Sequence, residues 1–144
     1  MPANQTPMCI SLSHGNLNLM ENFSRRAFPR EACGLLLGLP APNAPRVLEI
    51  SLGKNLATAQ EETRFDLDPL HLVQMEDHAR AKGWQILGLW HSHPKRAAIP
   101  SRADQQAALV GWSYPILALD AEGRLNLRSW RWCGTRFQEQ RVCS

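Results

Sequence analysis

Three features of the sequence predict a mixed α/β or α+β fold, with helices packed on a sheet. Segments of helical spacing end at Pro29, at Gly83 and at Gly111, and at least five short segments have the length and composition of strands. The order of these segments is helix, two strands, strand, helix, strand, helix, hairpin, without the strict strand–helix alternation of a doubly wound sheet.

Residues 16–28 carry Leu17, Leu19, Met20, Phe23, Ala27 and Phe28, a spacing that loosely keeps one apolar helical face, and Pro29 closes the segment. The run Ala32-Cys33-Gly34-Leu35-Leu36-Leu37-Gly38 is short, apolar and followed by a Pro40-Ala41-Pro42 turn, which predicts a buried strand with Glu31 at its entrance. Residues 47–52 read as a second strand paired to it. Residues 55–63 are polar and read as a loop, and alternation returns at Arg64-Phe65-Asp66-Leu67. Asp68-Pro69 is a helix start, an N-capping carboxylate followed by proline in the first turn, and the helix runs to about 82, where Gly83 stops it.

Residues 85–93 form an apolar strand broken at Pro94, and Ser101 caps a short helix through about 110, ended by Gly111. Residues 115–119 and 125–133 flank the turn Asp120-Ala121-Glu122-Gly123 and read as a hairpin, to which residues 136–142 add an edge strand.

The chain has 144 residues, the size of one domain. Its formal charge of +3 is too small for a nucleic-acid footprint, and neither GxGxxG nor GxxxxGK[ST] follows a strand. No apolar stretch approaches the ~18 residues of a membrane helix, and the first ten residues lack the basic start and apolar core of a leader, so a cytoplasmic location is expected. Cys9, Cys33, Cys133 and Cys143 form no CxxC pair, and in that compartment they are expected as reduced thiols.

The chemistry-bearing segment is His91-Ser92-His93-Pro94, then six residues, then Ser101-Arg102-Ala103-Asp104. In a strand, residues i and i+2 share a face, so His91 and His93 aim two imidazoles at one point. A short connection brings the first turn of the next helix back to that point, where Asp104 adds a carboxylate oxygen. Two histidines and one carboxylate with a fourth position open suit a catalytic zinc, which makes hydroxide available at neutral pH and polarises a carbonyl. Glu31 is the candidate proton shuttle, and Ser101 the candidate donor to an oxyanion. Ser101-x-x-Asp104 also reads as a plain helix cap, favourable by ~1 kcal/mol, and taken alone that reading is preferred. The joint pattern is another matter. Its chance occurrence, from the frequencies of these residue types in this chain, is on the order of 10⁻⁵.

The pattern His91-Ser92-His93-Pro94, Ser101, Asp104, with Glu31 upstream, resembles the JAMM (MPN+) metallopeptidases. The resemblance implies a single catalytic domain over residues 1–144, with a cytidine-deaminase-like mixed sheet flanked by helices. It implies Zn2+ held by His91, His93 and Asp104, Glu31 as general acid/base and Ser101 as oxyanion donor. Arg30-Glu31-Ala32-Cys33-Gly34, Phe65-x-x-Asp68-Pro69, Pro100-Ser101 and the Leu127–Arg131 segment with Phe137 look like the small stand-alone prokaryotic branch. That branch implies a ubiquitin-fold sulfur-carrier protein as substrate, cleaved at its C-terminal Gly-Gly tail, with no nucleic acid or membrane partner and a monomer or homodimer as the working form. Two alternatives remain at this point: an MPN-type interaction module without catalysis, and a zinc hydrolase of a small amide.

Several other residues carry expectations. Cys33 reads as a buried structural thiol, and His14, His71 and His78 as surface or packing residues. Lys95 and Arg96 read either as a lure for an acidic substrate tail or as a solvated loop. Trp130 and Trp132 read as packing, whereas Trp90 is expected to wall the cleft.

Overall fold

A computed structural model describes residues 8–57 and 65–144. In chain order the elements are β1 (Cys9–Ser11), α1 (His14–Ala27), β2 (Cys33–Leu39), β3 (Arg46–Ile50), α2 (Pro69–Ala81), β4 (Gln85–Pro94), α3 (Arg102–Ala107), β5 (Ser113–Leu119), β6 (Leu125–Trp132) and β7 (Phe137–Cys143). The strands lie in the order β1-β3-β2-β4-β5-β6-β7, and parallel pairing of β1 with β7 closes the sheet on itself.

Closure corrects one expectation, because β7 is no edge strand: it pairs with β6 on one side and β1 on the other. The staple at this seam corrects another. Cys9 and Cys143 form a disulfide, so two of the four cysteines are not reduced thiols. Cysteines 134 positions apart carry no local signal, and only the β1–β7 register brings their Cα atoms to 6.3 Å. The alternation expected over 64–67 is reduced to a single bridge from Leu67 to Asn55, and residues 58–64 of the expected loop and strand lie outside the described residues.

The helices cover the two faces of the sheet. Successive leucines of β2 point opposite ways: Leu36 joins a core with Ile10, Met20, Val47, Trp90 and Leu117, against which Leu17 and Phe23 of α1 pack. Leu35 and Leu37 join the other core, with Ala79, Leu89, Tyr114 and Trp132, against which Leu72 and Met75 of α2 pack. A strand buried on both faces has no polar side, which is why β2 is continuously apolar. Gly34 is required at a close approach: a Cβ there would stand 1.9 Å from the Ser51 carbonyl oxygen and 2.5 Å from the Trp90 Nε1. Trp90 therefore does not wall a cleft. It is fully buried on the α1 face, donating Nε1–H to Ser51 O at 3.0 Å and meeting Phe23 edge-on. Trp130 and Trp132 are packing residues, as expected.

The helix ends follow their caps. Ser13 accepts from Asn16 N–H at the start of α1, and Asp68 accepts from Leu70 N–H at the start of α2, with Pro69 in the first turn. Gly83, with φ +75°, turns the chain after α2. Helix α3 is shorter than its sequence suggests, stopping at Ala107 rather than near 110. Ala108 is extended, and the Leu109 N–H that a longer helix would use is taken by the Tyr114 hydroxyl at 2.8 Å.

Candidate metal centre

The imidazoles of His91 and His93 stand at the C-terminal end of β4, on the α2 face of the sheet, with Ser92 between them pointing to the opposite face. Both rings are buried. Their Nε2 atoms are 3.1 Å apart, and Asp104 Oδ2 lies 3.3 Å from each. His93 Nδ1 lies 2.8 Å from the carbonyl oxygen of Ala97, which can only accept, so the ring proton sits on Nδ1 and Nε2 presents a lone pair. His91 Nε2, His93 Nε2 and Asp104 Oδ2 thus converge on one point, a donor set of the kind that holds a cation. Donors 2.0–2.2 Å from a tetrahedral zinc are separated by about 3.3 Å or slightly more, so the triangle matches in chemistry and in size.

Asp104 reaches this point through the helix start. Ser101 Oγ accepts the Asp104 N–H at 3.1 Å, and Asp104 Oδ2 accepts the Ser101 N–H at 2.7 Å, a complete capping box. Capping the helix and facing the imidazoles are thus one arrangement and not alternatives, since the oxygen that takes the Ser101 N–H also lies against both rings. The Ser101 hydroxyl accepts with a lone pair in this bond, which leaves its proton to be donated. Burial pushes the Asp104 carboxyl up, but His91, His93 and the Ser101 N–H together outweigh it and hold the group well below the usual carboxylate range.

Glu31 comes to the same place through strand pairing. The antiparallel β2–β4 register sets Cys33 opposite His91, and the chain continues it with Ser92 N–H donating to Ala32 O at 3.0 Å. Glu31, one residue earlier, is carried to the imidazole pair, and its carboxylate and the two ring nitrogens lie within 4.8 Å of one another. The peptide that carries it is clamped at both ends. Asn55 Nδ2 donates to Glu31 O at 3.1 Å, and Ser92 Oγ accepts the Ala32 N–H at 2.8 Å.

The Glu31 side chain is buried; Oε2 accepts from Arg96, and Oε1 has no hydrogen-bond partner among the described residues. Desolvation raises its pKa, against the opposing pull of His91, His93 and Arg96. Glu31, His91 and His93 are themselves a possible ligand group, but Asp104 holds the tighter position and Glu31 is already tied to a guanidinium.

Sequence reasoning missed Ser92, Asn55 and the inward turn of Arg96. Lys95 and Arg96 lie in a partly exposed loop, as one of the two readings has it, but the Arg96 guanidinium turns inward to pair with Glu31, while Lys95 sits over the Phe28 ring. No local pattern marks any of the three, since each acts on a residue at least 24 positions away. Cys33 is a buried thiol, pushed up to about 12 by burial and by the nearby Glu31 and Asp66. His71 and His78 take packing roles with polar partners, His71 Nε2 lying 2.8 Å from Ser51 Oγ and His78 Nε2 2.9 Å from Glu49 Oε2.

Beside His91 and Asp104 opens a largely apolar cleft of about 440 Å³, walled by Leu35, Phe65, Leu72, Trp112 and Tyr114. A closed mixed sheet, helices on both faces and a two-histidine, one-carboxylate cluster with an adjacent buried glutamate define a protein of the JAB/MPN fold with a donor set that could hold a metal ion. The chain belongs to the family described as prokaryotic homologs of the JAB domain, which it matches over residues 17–133. It is 30% identical over 115 residues to a protein of Haloferax volcanii named desampylase, a match covering 79% of this chain and 78% of the relative.

Among solved structures, a Desulfitobacterium hafniense protein in solution superposes with a TM-score of 0.81 at 30% identity, covering 92% of this chain and 90% of that one. A JAB1/MPN domain protein from Archaeoglobus fulgidus shares the fold, with a TM-score of 0.56 at 20% identity over 96% of this chain and 99% of that one.

Proposed function

We propose that this chain is a zinc-dependent peptidase or isopeptidase that hydrolyses the bond at the C-terminal Gly-Gly tail of a ubiquitin-like sulfur-carrier protein. The observation that carries this reading is the 3.1–3.3 Å triangle of His91, His93 and Asp104 beside the buried, half-partnered carboxylate of Glu31. The name of the Haloferax volcanii relative supports the hydrolytic part of it.

His91 Nε2, His93 Nε2 and Asp104 would hold the ion, and when bound zinc supplies a water acidic enough to be deprotonated near neutral pH and an electrophile for the scissile carbonyl. The chain's own residues do the rest. Glu31 accepts the proton of the attacking water on the unpartnered Oε1 and passes it to the leaving amine. Ser101 donates its hydroxyl proton to the oxyanion of the tetrahedral intermediate. The Ala97 carbonyl fixes the His93 tautomer, and the capping box fixes Asp104. The apolar cleft beside His91 shields the reacting bond from bulk water.

The deciding experiment is elemental analysis of the purified protein and of Asp104→Ala, followed by cleavage of a carrier extended past its Gly-Gly. About one zinc per chain, largely lost in Asp104→Ala, and cleavage absent in Glu31→Gln are the expected results. No zinc after incubation with the metal would favour an interaction module. Zinc without carrier cleavage, but with turnover of a small amide, would favour the small-molecule hydrolase.

A further inference from the structure

Arg96 lies on the segment linking the imidazoles to Ser101, and both sides of it are pinned to the sheet. Lys95 N–H donates to Leu119 O of β5 at 2.8 Å, His93 Nδ1 donates to Ala97 O at 2.8 Å, and Trp130 Nε1 of β6 donates to Ala98 O at 3.0 Å. Lys95 takes a left-handed φ of +62°, which turns the chain where Arg96 begins. Held between these anchors, the guanidinium points inward and grips Oε2 of Glu31, whose side chain is 0% exposed while that of Arg96 is 30% exposed.

We propose that Arg96 is the positioning residue for Glu31: it fixes the carboxylate by one oxygen so that the other, Oε1, is presented to the reacting water in a single orientation. This rests on the reading of Glu31 as the proton shuttle. A carboxylate attached only through its own flexible stem samples several rotamers, whereas one oxygen tied to a rigid, permanently charged fork leaves the other oxygen one place to be. Proton transfer depends on that placement, and a misplacement of about 1 Å costs up to about 10²-fold in rate. The same contact offsets the cost of burying a carboxylate among Ala32, Cys33 and the two imidazoles. Lysine supplies the charge without the planar fork, so Arg96→Lys is expected to replace arginine only in part.

The test is steady-state cleavage of a ubiquitin-fold carrier carrying a peptide beyond its Gly-Gly, by the zinc-loaded full chain, with Arg96→Ala and Arg96→Lys. Arg96→Ala is expected to lose about 10–10²-fold in kcat with KM within twofold, Arg96→Lys to recover part of that, and added guanidinium ion to restore activity to Arg96→Ala alone. A substrate-lure or merely structural arginine would instead raise KM or respond to neither rescue, and that result overturns the proposal.

A second measurement needs no substrate. In a thermal-unfolding cycle with Glu31→Gln, the loss of Tm caused by Arg96→Ala is expected to shrink by more than half when Glu31 is already replaced. Equal losses in both backgrounds overturn the proposal. A parent that cleaves no carrier overturns the proposed function, and the contact is then judged on the cycle alone.

Discussion

Replacing Ser92 by alanine removes one oxygen atom that lies on the face of β4 away from both imidazoles, yet it should damage the site. Ser92 Oγ accepts the Ala32 N–H at 2.8 Å, and both residues are at most 2% exposed, so no bulk water can take the lost acceptor's place. Leaving a buried amide unsatisfied costs about 1–3 kcal/mol. For a domain near this size each kcal/mol moves Tm by about 2–4 °C, so a loss near 2 kcal/mol predicts a fall of about 4–8 °C in a calorimetric scan.

The peptide concerned is the one that carries Glu31, held at its other end by the Asn55 amide. Loosening it should lower kcat of the proposed carrier cleavage by about tenfold with little change in KM, because Ser92 is itself buried, on the face of β4 away from the imidazoles. A Tm within 1 °C of the parent together with an unchanged kcat would refute the clamp.

Three further expectations concern other parts of the molecule. Gly34→Ala drives a methyl into the Ser51 backbone and the Trp90 indole; overpacking of this kind costs about 1–3 kcal/mol, and urea titration should show the midpoint falling accordingly. Cys33, pushed up to about 12, is about 10⁻⁴ thiolate at pH 8, so a disulfide-exchange reagent should count one reactive thiol, the exposed Cys133, in the folded protein and two after unfolding. In its proposed role as base Glu31 must be ionised, and burial raises it above the ordinary 4.5; activity should therefore be lost, as pH falls, at a higher pH than an ordinary glutamate would give, and a kcat/KM profile still flat below 4.5 would contradict this.

What could be read from the sequence is what is local. His91, His93, Ser101 and Asp104 fall within 14 consecutive residues, and two local rules, side-chain alternation in a strand and the capping box at a helix start, are enough to aim them together. Glu31 can be named from sequence as a carboxylate at the entrance of a buried strand but not brought to the histidines, because its place depends on the pairing of β2 with a strand some 60 residues away. Ser92 reads in sequence as a spacer, and its hydroxyl matters only once that register exists.

The misjudged elements have similar causes. Three-residue β1 is too short to leave a periodic signal, and without it β7 looks like an edge. Leu109 and Val110 look like continuing helix, but a tyrosine hydroxyl from β5 competes for the backbone. Trp90 reads as a cleft wall from its neighbours in sequence, although alternation along β4 places it opposite the imidazoles.

The bond between Cys9 and Cys143 turns nearly the whole chain into a covalent ring. For a loop of 134 residues the chain-entropy estimate is about 5 kcal/mol in favour of the folded state. The topology has a second effect that no energy expresses. A single proteolytic cut anywhere between the two cysteines opens the ring without releasing a fragment; even a cut between Glu31 and His91, which puts the glutamate on one piece and the histidines on the other, leaves both pieces attached through the seam.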